Sequence, residues 1–242
     1  MNSILVYHTI SDRAEPLPGD IDISPQRFAQ QMRWLSRRND VVRLEQTLAP
    51  SNRRQVAITF DDGFRDNLTV ALPLLEKFQL PITLFVTAGF VGRDEYLSRD
   101  ELQEIARHPL VTIGAHGLWH RHFTQLSVDE ARFELVESRR LLQSMTGRAV
   151  DLMAWPFGEC NSQLEKLSEE CGYRASWSVW KGTNSRHSLW RVPLGRNDNM
   201  PRFIAKVSGA YFPIKFLEKN WARLRKQDEL VGAALRGRPI SG

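Results

Sequence analysis

Short apolar runs alternate along the chain with stretches in which apolar residues recur every three or four positions. The runs have the length and β-branched content of buried strands, whereas the intervening periodicity is that of helices with one buried face. Capping boxes, in which a serine is followed three residues later by a glutamate, mark helix starts at Ser98, Ser127 and Ser162. The predicted strands are 4–7, 56–60, 83–86, 111–115, 152–155, 175–179 and 190–194.

This alternation predicts a parallel sheet of βαβ units. So many units in one chain of 242 residues favour a closed (β/α) barrel over an open sheet. We expect the barrel to occupy residues 1–212 and residues 213–242 to form a basic helical tail. In such barrels the reactive side chains lie at the carboxyl ends of the strands, so residues directly after a predicted strand are the first candidates for function.

Charge and composition narrow the possible partners. The net charge of +5 favours an anionic partner, but no basic stripe interleaved with aromatic residues indicates nucleic acid binding. The chain starts without the basic leader of a signal peptide, and no apolar run reaches the roughly 20 residues of a membrane span, which favours a cytoplasmic location. The basic tail could rest on anionic lipid or be an ordinary solvated helix face.

Two adjacent carboxylates, Asp61 and Asp62, follow the predicted strand 56–60 and precede Gly63. Like charges this close raise the pKa of one partner unless a cation neutralises them. The pair therefore fits either a site that binds a metal and transfers protons, or a solvated loop.

Two histidines, His116 and His120, follow the predicted strand 111–115. With three residues between them, they can face one point from a single helical turn. Together with one aspartate they would give a metal three protein ligands and leave a position for water, as in catalytic zinc sites. The second aspartate could then take a proton from that water, whose pKa the metal lowers to about 7.

At these motifs the sequence resembles the polysaccharide deacetylase family, which carries the NodB homology domain (carbohydrate esterase family 4). Residues 59–63, Thr-Phe-Asp-Asp-Gly, and 116–120, His-Gly-Leu-Trp-His, match its first two motifs. Residues 154–158, Ala-Trp-Pro-Phe-Gly, resemble its third motif in the form found in poly-N-acetylglucosamine deacetylases. The resemblance covers about residues 4–197. It implies a distorted (β/α) barrel that removes N-acetyl groups from amino sugars.

The resemblance also implies a role for each matched residue. Asp61 would be the catalytic base, the backbone N–H of Phe157 would help to form the oxyanion hole, and Pro156 would shape the groove wall. The divalent metal, most often zinc, would be bound by Asp62, His116 and His120. The expected substrate is an N-acetylated amino-sugar glycan, or a lipid- or nucleotide-linked precursor, which a cytoplasmic location would favour.

Three departures from the family pattern leave parts of the site unassigned. The arginine that often orients the catalytic aspartate is replaced by Ala154, and the serine or threonine after the first histidine by Gly117. The region 190–199, where the family supplies its general acid, contains no histidine. His8 is the preferred substitute because it follows the first predicted strand. The alternatives are His122, His187 and His108.

Aromatic and basic residues near the motifs are candidates for substrate binding. Trp119 and Trp180 are expected to stack on sugar rings, since both can offer an apolar face to the groove. Arg191 is expected either to contact an anionic group of the substrate or to lie on a solvated rim.

Three functions remain open. The complete set of two aspartates and two histidines favours a metal-dependent N-deacetylase. A deformylase or amidase acting on another N-acyl sugar would use the same residues. A catalytically silent carbohydrate-binding module is suggested by Ala154 and by the missing acid histidine.

Overall fold

The computed structural model describes residues 2–15, 17, 19–38, 40–179 and 183–210, so Trp180 and the predicted tail lie outside the described residues. Within them, strands and helices alternate as the sequence predicts. The strands are β1 (Ser3–Tyr7), β2 (Thr9–Ile10), β3 (Asp22–Ile23), β4 (Asp40–Val41), β5 (Gln55–Phe60), β6 (Ile82–Val86), β7 (Val111–Ala115), β8 (Leu152–Ala154), β9 (Ala175–Val179) and β10 (Leu189–Pro193). The helices are α1 (Pro25–Arg38), α2 (Leu72–Phe78), α3 (Arg99–Arg107), α4 (Val128–Thr146), α5 (Ser162–Glu170) and α6 (Met200–Val207).

Seven parallel strands close into a barrel in the order β1-β10-β9-β8-β7-β6-β5, because β5 pairs with β1 as well as with β6. Strand β4 extends the sheet beside the start of β5, and β2 and β3 form a separate parallel pair. The predicted (β/α) barrel is therefore confirmed. It is distorted in that it closes with seven strands, where a regular (β/α) barrel has eight.

Alternate residues of each strand face the barrel interior, and the others face the surrounding helices. The larger buried cluster contains the outward residues and the apolar faces of the helices, such as Phe28 and Met32 of α1. The smaller cluster contains inward residues from five barrel strands, namely Ile4, Ala57, Phe85, Leu152, Ala154, Ala175 and Trp177. Continuing the inward rows in steps of two leads to His8, Asp61 and His116. The pleat of the strands thus directs these three side chains to the mouth of the barrel.

Large and small residues alternate around the interior. A Cβ atom on Gly114 of β7 would lie 2.4 Å from the ring of Phe85, so this position accepts only glycine while Phe85 keeps its place. Ala154 occupies an inward position on β8 and packs in the same cluster as Phe85 and Trp177. These two small residues leave volume beneath the barrel mouth for a large side chain from another strand.

Local details differ from the sequence-based prediction in three places. The predicted capping box at Ser162 is wrong, because Ser162 is already helical and the side chain of Asn161 accepts the hydrogen bond from the Leu164 N–H. Between β5 and β6, where the apolar periodicity indicates an ordinary helix, the chain begins with a π turn, Asn67–Ala71, and α2 follows with Pro73 in its first turn. The short strands β2, β3 and β4 contain only two residues each, too few to produce a recognisable pattern.

Among the described ranges, no helix combines the length and the hydrophobicity that crossing a bilayer requires.

Candidate active site

A cavity of about 300 Å³ opens at the carboxyl ends of the barrel strands. Four strands deliver its polar side chains, because each candidate residue follows the end of β1, β5, β7 or β8. The polar and aromatic lining includes His8, Asp61, Asp62, His116, His120 and Phe157. The residues that the sequence motifs single out are thus brought together from positions up to 149 residues apart, His8 to Phe157.

The three predicted metal ligands converge within this cavity. Oδ1 of Asp62 lies 3.5 Å from Nε2 of His116 and 3.3 Å from Nε2 of His120. One ligand atom from each residue lies within 4.8 Å of the others. Nδ1 of His116 is hydrogen-bonded to the carbonyl oxygen of Ala154 at 2.8 Å, so Nε2 of this ring faces the cavity. Such a bond to the remote nitrogen is how proteins orient a histidine ligand.

The electrostatics of this triad fit a cation. Asp62 Oδ1 is buried and has no hydrogen-bond partner within the described chain. Burial and the nearby Asp61 carboxylate raise the pKa of Asp62 to about 8, a cost that a bound divalent cation would remove. Burial lowers the pKa of His116 to about 3 and also lowers that of His120, so both imidazoles are neutral, as a metal ligand must be. Two imidazoles and one carboxylate form a donor set suited to zinc and its neighbours.

Three of the residues that line the site have a left-handed backbone. The φ angles are 72° at Asp62, 53° at His120 and 58° at Phe157. Non-glycine residues in this region cost about 1–3 kcal/mol each and persist only where the surrounding structure holds them. The prediction that His116 and His120 share a helical turn is wrong, because His116 directly follows β7 and His120 lies at the end of an irregular loop. The loop nevertheless brings the two rings to a centroid separation of 5.0 Å.

A buried carboxylate on α4 holds the loop between the two histidines. Oε2 of Glu134 accepts hydrogen bonds from the backbone N–H groups of Leu118 and Trp119, at 2.8 and 2.9 Å. Gly117 has a φ of 75°, and a Cβ there would lie 3.2 Å from Phe123, so a serine or threonine at this position would be strained. Glu134 therefore supplies, from a distant helix, the loop stabilisation that Gly117 lacks.

Replacing Glu134 by Ala is expected to weaken the binding of a divalent metal ion by about 10-fold to 100-fold, the usual effect of removing a group that orients metal ligands. The loop N–H groups would lose their buried acceptor, and His120 would lose its fixed position. Competition with a chromogenic chelator measures the affinity. Glu134→Gln keeps an acceptor oxygen and should retain most of the affinity. Equal losses in both variants would contradict this role.

The Asp61 carboxylate is held by an arginine from the far side of the barrel. Nη1 and Nη2 of Arg191, on β10, donate to Oδ1 and Oδ2 of Asp61 at 2.6 and 2.7 Å, and Nη1 also donates to Thr59 Oγ1. Burial alone would raise the pKa of Asp61, but the Arg191 guanidinium and His116 outweigh it and lower the pKa to about 2. Asp61 is thus ionised, and its position is fixed by a two-pronged ion pair.

The prediction that Arg191 contacts substrate or lies on a solvated rim is wrong. Its residue exposure is 1%, and its guanidinium lies 5.3 Å from the centre of the Phe85 ring, inside the barrel. The inward position of Ala154 leaves this volume free. Arg191 therefore takes the place beside Asp61 that the family resemblance assigns to an arginine at the position of Ala154.

The sequence was compared with known protein families. The sequence profile described as polysaccharide deacetylase matches residues 49–176, more than half of the chain. The chain belongs to the polysaccharide deacetylase family. The family and the barrel predicted from the motifs are therefore confirmed.

Individual members of the polysaccharide deacetylase family are similar over most of the chain. YxkH of Bacillus subtilis strain 168, provisionally named a polysaccharide deacetylase, is 27% identical over 220 residues, 86% of this chain and 75% of that protein. The poly-beta-1,6-N-acetyl-D-glucosamine N-deacetylase of Staphylococcus aureus strain COL is 24% identical over 226 residues, with 86% and 74% covered. The structure of the Streptococcus pyogenes deacetylase PplD in complex with acetate superposes with a TM-score of 0.75 at 21% identity, covering 85% of this chain and 97% of that one. The chain spans half or less of the length of three further curated relatives.

Four histidines are candidates for the general acid of this polysaccharide deacetylase, and the structure places them in different surroundings. His8 lines the cavity, and its buried Nδ1 has no hydrogen-bond partner within the described residues. His187 is buried elsewhere, with Nδ1 3.5 Å from Ser176 Oγ, and Nε2 of His108 pairs with Glu76 at 2.8 Å. His122 stacks on Phe157. The geometry therefore keeps His8 as the candidate.

The other residues predicted to contact substrate are Trp119, Pro156 and Trp180, and the structure gives each a different environment or does not describe it. Trp119 is 48% exposed and lies beside Arg93, whose guanidinium is 5.4 Å from its ring centre. It stays a candidate for stacking on a sugar. Pro156 is buried, and its Cγ would lie 3.5 Å from a Cβ on Gly117. It therefore supports the loop between the histidines instead of forming a groove wall. Trp180 lies outside the described residues.

Proposed function

We propose that this chain hydrolyses the N-acetyl group of an N-acetylated amino sugar in a glycan. The proposal rests on one observation, that a set of potential metal ligands and a separately oriented carboxylate lie in the same cavity. Asp62, His116 and His120 present three ligand atoms within 4.8 Å of one another, and Asp61 beside them is ionised and aligned by Arg191. A sugar-binding module without catalysis would have no use for a separately buried and oriented carboxylate.

The metal that fits these ligands best is zinc. Neutral imidazoles with one carboxylate leave an open coordination position in the manner of catalytic zinc sites. When bound, a divalent cation would increase the acidity of a water molecule in the cavity and polarise the acyl carbonyl group.

The chain's own residues then carry the proton transfers. Asp61 takes a proton from the attacking water as the water oxygen forms a bond to the acyl carbon. The backbone N–H of Phe157 donates a hydrogen bond to the oxyanion that develops. As the carbon–nitrogen bond breaks, His8 donates a proton to the departing amine. Burial lowers the pKa of His8 to about 4, so this imidazole is neutral at rest and must receive its proton during turnover. The proton that Asp61 takes from the water is the proposed source.

The substrate class follows from the relatives and from the exposed aromatic ring. The Staphylococcus aureus relative is named for poly-beta-1,6-N-acetyl-D-glucosamine, and Trp119 offers an accessible ring for stacking on a sugar near His120. An alternative substrate is a lipid- or nucleotide-linked precursor of a glycan. It would be deacetylated in the cytoplasm while the basic tail rests on anionic lipid. That alternative stays a prediction.

Acetate release from N-acetylglucosamine oligomers tests the proposal. The protein is expected to release acetate, to lose this activity after treatment with a chelator, and to regain it when zinc is added. Formate release from N-formyl sugars, without acetate, would instead support a deformylase. Oligomer binding without release of either acid would support a silent binding module.

A further inference from the structure

The turn Pro156–Gly158 carries the backbone N–H proposed for the oxyanion hole, and its conformation is unusual. Phe157 has φ and ψ of 58° and 5°, in the left-handed region, and its ring is 47% exposed. A bulky residue at such angles is held there by its surroundings. Because one backbone N–H must point at the reacting oxygen, the contacts that hold this turn bear directly on the reaction.

One side of the turn is held by the barrel. Gly158 also has a positive φ, of 66°, and a Cβ on it would lie 2.6 Å from Cβ of Val179, so the backbone rests directly on β9. The strand thus supports the turn from below. The Phe157 ring itself is 47% exposed.

The other side of the turn is held by a histidine. The ring of His122 stacks on the ring of Phe157 with a centroid separation of 3.6 Å and an angle of 9° between the planes. Nδ1 of His122 lies 3.7 Å from Oε2 of Glu159, two residues after Phe157. The His120 ring meets the same phenylalanine edge-on at 4.6 Å. Phe157 is therefore packed against two histidines of the loop that contains the metal ligands.

His122 does not belong to the cavity itself. The cavity lining includes His8, His120 and Phe157 among the aromatic side chains, and His122 lies outside it, behind the Phe157 ring. His122 therefore contacts the lining of the cavity through the Phe157 ring on which it stacks.

We propose that His122 is a positioning residue that clamps Phe157 and so keeps the left-handed turn, and with it the Phe157 N–H, in its reactive orientation. The inference rests on the proposed function, because it assigns the N–H to oxyanion binding. The flat ring face makes the clamp, and neither the basicity nor the hydrogen bonds of the imidazole are needed for it. A phenyl ring at this position should therefore work, whereas a methyl group should not.

The first measurement compares His122→Ala with His122→Phe on N-acetylglucosamine oligomers. The alanine variant is expected to lower kcat by about 10-fold to 100-fold, no more than a misplaced catalytic group or the full loss of one oxyanion donor would cause. Its KM and its zinc affinity should change less than twofold. The phenylalanine variant should recover most of kcat and leave the pH profile of kcat unchanged. A phenylalanine variant as slow as the alanine variant would overturn the proposal, because the imidazole chemistry would then matter.

A second comparison tests whether the effect passes through Phe157. Glycine adopts positive φ without strain, so Phe157→Gly removes both the ring and the need for a clamp. Adding His122→Ala to Phe157→Gly should then change kcat by less than twofold. If the factors by which the two substitutions lower kcat multiply in the double variant, His122 acts by another route and the clamp is refuted.

Amide hydrogen exchange separates the clamp from the proposed function. Exchange of the Phe157 and Gly158 amide hydrogens should accelerate in His122→Ala and not in His122→Phe, whether or not acetate is released. If the wild-type protein proves inactive but His122→Ala still exchanges faster than wild type, the clamp stands while the deacetylase proposal fails. Unchanged exchange in His122→Ala would overturn the clamp alone.

Discussion

Replacing Asp61 by Asn is expected to reduce kcat by a factor of about 10² to 10⁴, the usual contribution of a general base, while zinc stays bound. The amide cannot take a proton from water, but the three proposed ligands, Asp62, His116 and His120, remain in place. Acetate release measures the activity, and metal analysis after gel filtration measures the bound zinc. Loss of turnover with retained zinc separates the base from the adjacent ligand.

Two controls make this result interpretable. Asp151→Asn changes a partly exposed aspartate that pairs with Arg174 at the surface, so this variant should keep wild-type turnover. Arg191 would face an uncharged amide in the Asp61 variant. The free energy of unfolding should therefore fall by up to about 3–5 kcal/mol, and activity must be measured well below the transition temperature. A folded Asp61→Asn protein with full activity would refute Asp61 as the base.

The site ligands could be predicted from the sequence because their motifs are local. Asp61 and Asp62 are adjacent, and His116 and His120 are close in sequence. Each pair follows a strand whose apolar run is easily recognised. In a parallel barrel the carboxyl ends of all strands meet at one mouth, so the convergence of the two pairs follows from the fold class alone.

The residues that orient the site could not be predicted in the same way. Arg191 meets Asp61 across 130 positions of sequence, and this contact depends on the register with which β10 pairs with β1 and β1 pairs with β5. Taken alone, Arg191 looks like any arginine near the end of a strand. The alternation of side chains along β10 could have indicated that Arg191 lies inside the barrel. Residue 191 occupies an inward position on this strand, as Trp177 and Val179 do on β9.

The three departures from the family pattern have one common explanation. The sequence motifs lack an arginine at Ala154 and a hydroxyl group at Gly117, and they lack a late histidine. In the structure, Arg191 holds Asp61 and Glu134 holds the histidine loop, while His8 faces the cavity. Each missing group has a counterpart of suitable chemistry on another element. A site with such replacements is better explained by retained catalysis than by the decay of an enzyme into a binding module.

Removing Arg191 should have the second large effect. In Arg191→Ala the buried Asp61 carboxylate loses its counter-charge, and we expect a loss of about 3–5 kcal/mol in the free energy of unfolding and about 10²-fold in kcat. Burial would then raise the pKa of Asp61, since only the weaker influence of His116 and His8 would still oppose it. Because the base must be ionised, the acidic limb of the kcat/KM profile should move to higher pH. Arg191→Lys should rescue only part of the activity, since an ammonium group cannot make the two-pronged contact.

Moving the arginine tests whether its position or its chemistry matters. Ala154 faces the same part of the barrel interior as Arg191, with Phe85 beside both, so the volume freed by Arg191→Ala is open to a side chain from residue 154. Adding Ala154→Arg to Arg191→Ala should therefore restore part of kcat and return the acidic limb towards lower pH. Ala154→Arg alone should be destabilising, because two guanidinium groups would compete for one carboxylate. If the double variant stays as slow as Arg191→Ala while folding normally, the two positions are not equivalent, and Arg191 must orient Asp61 in a way that β8 cannot provide.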